Sequence, residues 1–441
     1  MNASGTVRLL MAYAHARRHD RLRDRQRLES IQQRWLTRLQ QFLVLRSPFY
    51  SRYAGVSWVD WPVLSKAPWM ENFDTINTVG AHLADVSAIA HVAERTRDFS
   101  KRWGPFTIGL STGTSGSRGL FLASPAECVT WAGTLLGKLL RGGLLARERI
   151  ALVLRAGATL YDTVGSLRLR FRFFDQSQPW GALVRDLAVF GPTLLVAPPS
   201  ALRLLADSTS QLRPRRVISV AEVLEPLDRI RIERRFEVPV EQIYQATEGL
   251  LGVSCEAGTV HLNEPYILVE PEWQDRERTR FVPIVTDLWR RTQPVVRYRL
   301  NDVLQVARKP CPCGRASLAL AAIEGRTDDI LWLAQAGSPA AQTQSEERVP
   351  VFPDVLARAV VSALPDVEDY QVEELSLGAW RVGLSPMPTP AARESLHNAC
   401  AAIATRSGAI PPTLDVRELL RNPGTGKRRR IQGARSRACV S

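Results

Sequence analysis

Long apolar runs are missing from this 441-residue chain. It has no stretch of about 18 consecutive apolar residues, so no membrane-spanning helix is expected. Cysteine is scarce: six in the whole chain are too few for a disulfide-stapled scaffold of this length. Acidic residues are outnumbered, 44 Asp and Glu against 58 Lys and Arg, which leaves a net charge of +14. That balance suits nucleotides, an anionic carrier protein or a solvated arginine-rich surface. Nucleic acid is not the expected partner, because neither an RNA-binding aromatic pattern nor a zinc-finger spacing occurs. A Gly-x-Ser-x-Gly elbow is also missing, which argues against a serine hydrolase. At the N-terminus an apolar patch precedes the basic residues. A secretory leader has the reverse order, so a cytoplasmic location is expected.

The length calls for two or three domains. Residues from about Asp20 to Leu45 carry apolar positions at helical spacing, and Arg46-Ser-Pro-Phe-Tyr50 ends that helix. Short apolar runs of strand length follow: Arg149–Leu154, Thr193–Ala197 and Arg216–Val220. Helical patterns at Ser200–Ala206 and Leu227–Phe236 lie between them. Strands alternating with helices predict a parallel, layered α/β architecture. From about Cys255 to Val306 the runs become β-like. Ala334–Val349 reads as a loop, and a small α/β region follows it, with a helix to about Leu364 and strands near Gln371 and Leu414.

The most informative segment is Leu110-Ser111-Thr112-Gly113-Thr114-Ser115-Gly116-Ser117-Arg118-Gly119. Small residues let backbone N–H groups approach phosphate oxygens, and the hydroxyls add donors. No Gly-Lys-Ser/Thr follows, so it is not a Walker loop. Tyr244-Gln-Ala-Thr247-Glu248 follows a strand-like run and can place a hydroxyl and a carboxylate near Mg²⁺ and phosphate. Pro294–Asp302 ends an arginine-rich run with a carboxylate suited to ribose hydroxyls. Glu324-Gly-Arg326-Thr-Asp328-Asp329 adds a guanidinium and the paired carboxylates Asp328 and Asp329, and Asn422-Pro-Gly-Thr-Gly-Lys427 presents a lysine on a glycine-rich loop.

In this order and spacing, the five motifs resemble the adenylate-forming superfamily of acyl-CoA synthetases, luciferases and peptide-synthetase adenylation domains. The likeness is nearest to the phenylacetate–CoA ligase group and its relatives, and it runs from Ser47-Pro-Phe-Tyr50 and Pro62-Val-Leu-Ser-Lys66 to Lys427. It implies a large N-terminal domain of layered α/β sheets with a β-rich subdomain over 1–327. A small mobile α+β domain over 328–441 would follow, turning on the hinge Asp328. It also implies roles. Ser111, Thr112, Gly113, Thr114, Ser115, Gly116 and Arg118 would hold the ATP phosphates, and Ala221, Glu222 and Tyr244 would contact adenine. Thr247 would bind the α-phosphate and Glu248 the Mg²⁺. Asp302 would hold the ribose hydroxyls, Arg326 would contact ribose or phosphate, and Lys427 would bridge the acid and the α-phosphate. Two positions depart from the family pattern: Arg118 stands where a lysine is usual, and Leu300-Asn301 where Thr-Gly is common.

The implied reaction makes an acyl-AMP from ATP and a small carboxylic acid, an aryl acid by preference. The acyl group would then pass to the thiol of CoA or to the phosphopantetheine of an acyl carrier protein. Tyr161, Phe174 and Val220 are candidates for the acid pocket. The alternatives are adenylation without a thioester, or an inactive zinc-containing nucleotide-binding scaffold. A homodimer is compatible with either.

Cys255, His261 and the knuckle Cys311-Pro-Cys313-Gly form a Cys₃His set. Four protein ligands suit tetrahedral Zn²⁺ and leave no open position, so a zinc ion here would be structural. Arg428-Arg-Arg430 reads as a solvated charge run, and His15 and His19 as surface or satisfied core residues.

Overall fold

Polar caps divide the helical N-terminal region. The computed structural model describes residues 3–110, 119–144, 146–154, 169–208, 211–336, 348–419 and 429–434. The helix expected over about 20–45 is α2 (Arg25–Arg46), and a separate helix, α1 (Ala3–His19), precedes it across a short break. Asp24 causes the break. Its carboxylate accepts from the Gln26 and Arg27 amides and starts α2 afresh. Short helices α3 (Pro48–Ser51), α4 (Lys66–Glu71) and α5 (Phe73–Ile76) lead to α6 (Leu83–Thr96). A three-stranded antiparallel sheet follows: β1 (Arg102–Trp103), β2 (Phe106–Leu110) and β3 (Leu120–Ala123). Leu110 and Leu120 are register partners, so β2 and β3 flank the Gly/Ser/Thr segment.

α7 (Pro125–Leu139) begins with a complete capping box between Ser124 and Glu127. α1 lies closely against α7. A Cβ at Gly133 would stand 2.4 Å from the Leu9 carbonyl oxygen, and one at Gly137 would stand 2.7 Å from that of Tyr13. Only glycine allows so close an approach.

The central sheet has 12 strands. Its parallel half contains β4 (Glu148–Leu154), β5 (Leu169–Asp175), β6 (Leu194–Ala197), β7 (Arg216–Val220) and β8 (Val240–Ala246), in the spatial order β5-β4-β6-β7-β8. Helices α8 (Trp180–Phe190), α9 (Pro199–Asp207) and α10 (Pro226–Phe236) lie between these strands in the chain. β6 is buried along its whole length, as both faces of a covered parallel sheet require. Ile150, Leu152, Val196, Ile218 and Ile243 share a core with Leu136 and Leu139 of α7 and Leu9 of α1.

After β8 the sheet turns antiparallel, through β9 (Gly249–Ser254), β10 (Val260–Leu262), β11 (Ile267–Trp273), β12 (Arg280–Asp287), β13 (Tyr298–Arg299), β14 (Asp302–Val306) and β15 (Ala319–Arg326). This is the β-like region expected after Cys255.

The chain forms two compact units. The first comprises 1–222, 232–300 and 304–321, and the second comprises 223–231, 301–303 and 322–441. Within the second, β16 (Leu331–Ala334) pairs with β17 (Arg348–Val351). β18 (Asp369–Ser376), β19 (Ala379–Ser385), β20 (Thr413–Glu418) and β21 (Ile431–Gln432) form a four-stranded sheet in the order β20-β19-β18-β21. Helices α11 (Pro353–Ala363) and α12 (Pro390–Arg406) share one core with this sheet, around the fully buried Tyr370, Leu384 and Leu396. Among the described residues, no helix is long and apolar enough to cross a membrane.

Candidate active site

In an open α/β sheet, ligands bind beyond the carboxyl ends of the parallel strands. β8 is the last parallel strand, and Thr247–Glu248 is the turn that carries the chain from it into antiparallel β9. The Thr247 hydroxyl donates to Glu248 Oε2 at 2.9 Å. A cleft here is lined by Lys66, Trp69, Met70, Gly119, Leu120, Thr247, Glu248 and Tyr298. It joins the outgoing end of the Gly/Ser/Thr segment to the Thr-Glu turn, two motifs far apart in sequence. Trp69 and Tyr298 meet edge to face at 5.5 Å and form one wall. Ser111, Thr112, Gly113, Thr114, Ser115, Gly116 and Arg118 lie outside the described residues, as do Tyr161 and Lys427.

At the end of β7, Ala221 holds φ at +67°, an uncommon conformation for a residue with a side chain. Glu222 accepts from the Ser200 amide at 3.2 Å, at the N-terminus of α9. Tyr244 is buried in β8, and Phe174 and Val220 are buried at the ends of β5 and β7. These positions share the carboxyl edge of the sheet with Thr247 and Glu248.

The turn after β12 braces the cleft. Arg290 Nη1 donates to the Thr247 carbonyl at 2.6 Å, and Nη2 donates to Gln293 Oε1 at 3.1 Å. Glu127 accepts from the Arg291 and Thr292 amides at 2.6 and 2.9 Å, besides closing its capping box with Ser124. Burial would raise the Glu127 carboxyl, but the donors from Ser124 and Thr292 outweigh it and hold the group below the usual carboxylate range. Asp287 caps the same turn, accepting from the Trp289 and Arg290 amides. Burial there wins, and the carboxyl is pushed up. The sequence alone gives Arg290 and Gln293 no role, because they sit in no motif. Lys66 falls within the family likeness but without a function until the fold brings it to the cleft.

The second unit gathers a different group. Asp302 begins β14, Arg326 ends β15, and Asp328 lies in the turn Thr327–Asp329. Within it Thr327 N donates to Asn301 O at 2.7 Å, and Asp329 accepts from Arg429 Nε at 2.9 Å. Arg428–Arg430 is not a solvated run where it is described. Arg430 is only 4% exposed and makes a two-pronged pair with Asp228 at 2.6 and 2.8 Å. It also reaches Asp369 at 3.2 Å and lies over the Tyr370 ring. The reason for the burial is this carboxylate pair, which the sequence places some 60 and 200 residues away.

The Cys₃His set converges as expected. Ligand atoms of Cys255, His261, Cys311 and Cys313 lie within 4.8 Å of one another. Cys255 and Cys311 sulfurs are 3.6 Å apart, and Cys313 Sγ is 3.3 Å from His261 Nε2. Sulfurs about 2.3 Å from one tetrahedral ion would be about 3.8 Å apart, so the spacing fits zinc. His261 Nδ1 donates to the Ser317 carbonyl at 2.8 Å, which leaves Nε2 free to face the thiols.

No protein-family model matches the chain, and no curated protein sequence matches it. Solved structures do. A 2-hydroxyisobutyryl-CoA ligase in its postadenylation state with 2-HIB-AMP aligns over 94% of this chain and 91% of its own, with 18% identity and a TM-score of 0.67. An open conformation of that ligase with 2-HIB-AMP and CoA aligns over 91% and 90%, at 18% identity and a TM-score of 0.60. The amide bond synthetase McbA from Marinactinospora thermotolerans aligns over 77% and 70%, at 14% identity and a TM-score of 0.51. This chain has the fold of the adenylate-forming CoA ligases. In that fold, the carboxyl edge bearing Thr247 and Glu248 is the edge that the strand topology singles out for ligands.

Proposed function

We propose that the protein activates a carboxylic acid with ATP and passes the acyl group to a thiol. The single observation that carries this reading is the cleft shared by Gly119, Lys66, Thr247 and Glu248 at the end of the last parallel strand. It places a carboxylate, a hydroxyl and a cation beside the exit of a Gly/Ser/Thr loop.

An acid oxygen attacks the α-phosphorus of ATP, the bond to the β-phosphate oxygen breaks, and pyrophosphate leaves. Two anions must meet, so cations and oriented donors have to screen them. Lys66 supplies charge in the cleft, Thr247 a donor toward the α-phosphate, and Lys427 bridges acid and phosphate. Asp302 holds the ribose, Arg326 the ribose or phosphate, and the Ala221–Glu222 and Tyr244 positions flank adenine. Glu248 and its hydroxyl neighbour are hard oxygen donors that would hold Mg²⁺, which neutralises phosphate charge when bound. The thiol of CoA or of a carrier protein's phosphopantetheine then attacks the acyl carbonyl, and AMP leaves. An aryl acid is our preferred substrate, and Asp328 our preferred hinge. Cys255, His261, Cys311 and Cys313 would hold a structural Zn²⁺ and cross-link β9 and β10 to the Cys311–Cys313 knuckle. Three free thiols in that set fit a reducing, cytoplasmic setting.

A second reading keeps adenylation but sends the acyl-AMP to an acceptor other than a thiol. The fold likeness to an amide bond synthetase favours it. Pyrophosphate release with ATP, Mg²⁺ and hydroxylamine across a panel of aryl and aliphatic acids tests both. Release with one acid class, reduced at least 100-fold in Lys427→Ala, is expected, as when charge stabilisation of a transition state is removed. In a parallel assay without hydroxylamine, AMP release that requires CoA or a carrier thiol supports the first reading, and AMP release indifferent to thiols supports the second. No release with any acid would leave an inactive nucleotide-binding scaffold.

A further inference from the structure

The cleft's two sides are tied together from outside it. Gln293 is completely buried, and its amide is used in both senses. Oε1 accepts from the Leu122 amide at 2.7 Å, and Nε2 donates to the Leu120 carbonyl at 3.0 Å. It therefore clamps β3 directly after Gly119. Arg290 shares that same Oε1 through Nη2 and holds the Thr247 carbonyl through Nη1. A planar guanidinium serves two acceptors in fixed directions at once, which a lysine cannot do. The turn bearing both residues is itself pinned, by Asp287 at the Trp289 and Arg290 amides and by Glu127 at the Arg291 and Thr292 amides. Neither Arg290 nor Gln293 is among the residues that line the cleft.

We propose that Arg290 and Gln293 are positioning residues: they form one strut that fixes the outgoing end of the Gly/Ser/Thr loop against the Thr247–Glu248 turn and so sets the geometry in which ATP phosphates are held. The inference rests on the adenylation reading above. The strut acts through backbone. It holds the Thr247 carbonyl and the Leu120–Leu122 backbone, so its loss lets the two sides of the cleft move independently. A displacement of about 1 Å in a reacting site costs up to 100-fold in rate.

Arg290→Ala, Arg290→Lys, Gln293→Leu and the Arg290→Ala/Gln293→Leu double variant test it in the full-length chain. Three readouts are used: steady-state pyrophosphate release against Mg·ATP, the unfolding midpoint, and amide hydrogen exchange at 119–122 and 246–249. In Arg290→Ala, kcat is expected to fall roughly 10–100-fold at an unchanged acid KM and a nearly unchanged midpoint. Exchange should rise in both segments and not elsewhere. Arg290→Lys, which reaches one acceptor, should recover part of the rate. The double variant should be no worse than the poorer single one, because either change alone breaks the strut.

Unchanged kcat, unchanged exchange in either segment, or additive losses would overturn the proposal. A fall in midpoint with kinetics intact would also do so, because that is what a merely structural role predicts. If the wild-type chain releases no pyrophosphate with any acid, the adenylation reading fails on its own control. The strut is then judged by exchange and by Mg·ATP affinity. Weaker binding in Arg290→Ala upholds it, and equal binding overturns it.

Discussion

Each of the two units holds a polar cluster that joins distant parts of its chain, but the two clusters differ in burial and charge. In the first unit, Cys255, His261, Cys311 and Cys313 bring three thiols and an imidazole together with no counter-charge among themselves. In the second, Arg430 is enclosed by Asp228 and Asp369, with Glu225 nearby accepting from Tyr370 at 3.0 Å. The second cluster is satisfied by its own residues: guanidinium donors meet carboxylate acceptors within the fold. The first would be completed by a cation, because thiols are weak hydrogen-bond partners and gain most from being thiolates around a metal. One unit's stability should therefore depend on metal supply, and the other's only on its sequence.

The largest break in this comparison comes from the metal. The purified protein is expected to carry one zinc per chain by elemental analysis. Cys313→Ser, or removal of the metal by a chelator, should destabilise the first unit by about 4 kcal/mol or more, the range in which loss of a metal falls. At roughly 2–4 °C per kcal/mol, that lowers its unfolding midpoint by about 10 °C. The second unit's transition should not move. Protein that holds no zinc and is indifferent to chelators would refute the assignment.

Arg430 gives the next largest effect. Removing one partner of a buried pair leaves the other charged and unsolvated, at about 3 kcal/mol or more. Arg430→Met should cost that much in the second unit, with or without zinc. Combining it with Asp228→Leu and Asp369→Leu should recover most of the loss, because an apolar core of similar volume tolerates what a half-removed ion pair does not. A triple variant as unstable as the single one would show that Arg430 acts by packing and not by charge.

The two clusters were not equally legible in the sequence. Thiols are few here, and a Cys-x-Cys-Gly knuckle with a Cys and a His upstream is distinctive by type and spacing. Arginine is abundant, so Arg428-Arg-Arg430 looks like any solvated run. Nothing local shows that one of the three turns inward, because Asp228 and Asp369 reach it only through the fold. The same rule holds at the cleft. Thr247, Glu248 and the flanks of the Gly/Ser/Thr loop announced themselves through motif and strand, whereas Arg290 and Gln293 act on backbone carbonyls and amides that belong to no pattern. Apolar runs gave strands β4, β6 and β7 to within a residue or two. Helix α1 was hidden by its mixed composition and is held by backbone contact at Gly133 and Gly137. Helix α12 was passed over although Thr389-Pro390 is a regular N-cap followed by proline at the first helical position.

Acid supplies the smallest effect, and it has opposite signs in the two units. His19 is 7% exposed, and its ring lies 3.9 Å from that of His15. Burial first, then His15 and Lys138, outweigh the attraction of Asp20 and lower its pKa from 6.5 to about 3. The folded state thus binds its proton less readily than the unfolded one. The stability contribution is complete above pH 6.5 and is lost progressively as pH falls from 6.5 toward 3. In the second unit, burial pushes the Glu225 carboxyl up, beyond what Arg430 and Tyr370 offset. That group favours the folded state at low pH and opposes it as pH rises through its shifted value. Between pH 7.5 and 5.5, at saturating zinc, the first unit is expected to lose on the order of 1 kcal/mol and the second to lose nothing. His19→Leu should flatten the first unit's pH dependence and leave the second unit's unchanged. If both units respond alike, or if His19→Leu keeps the full slope, the buried imidazole is not the acid-sensitive group.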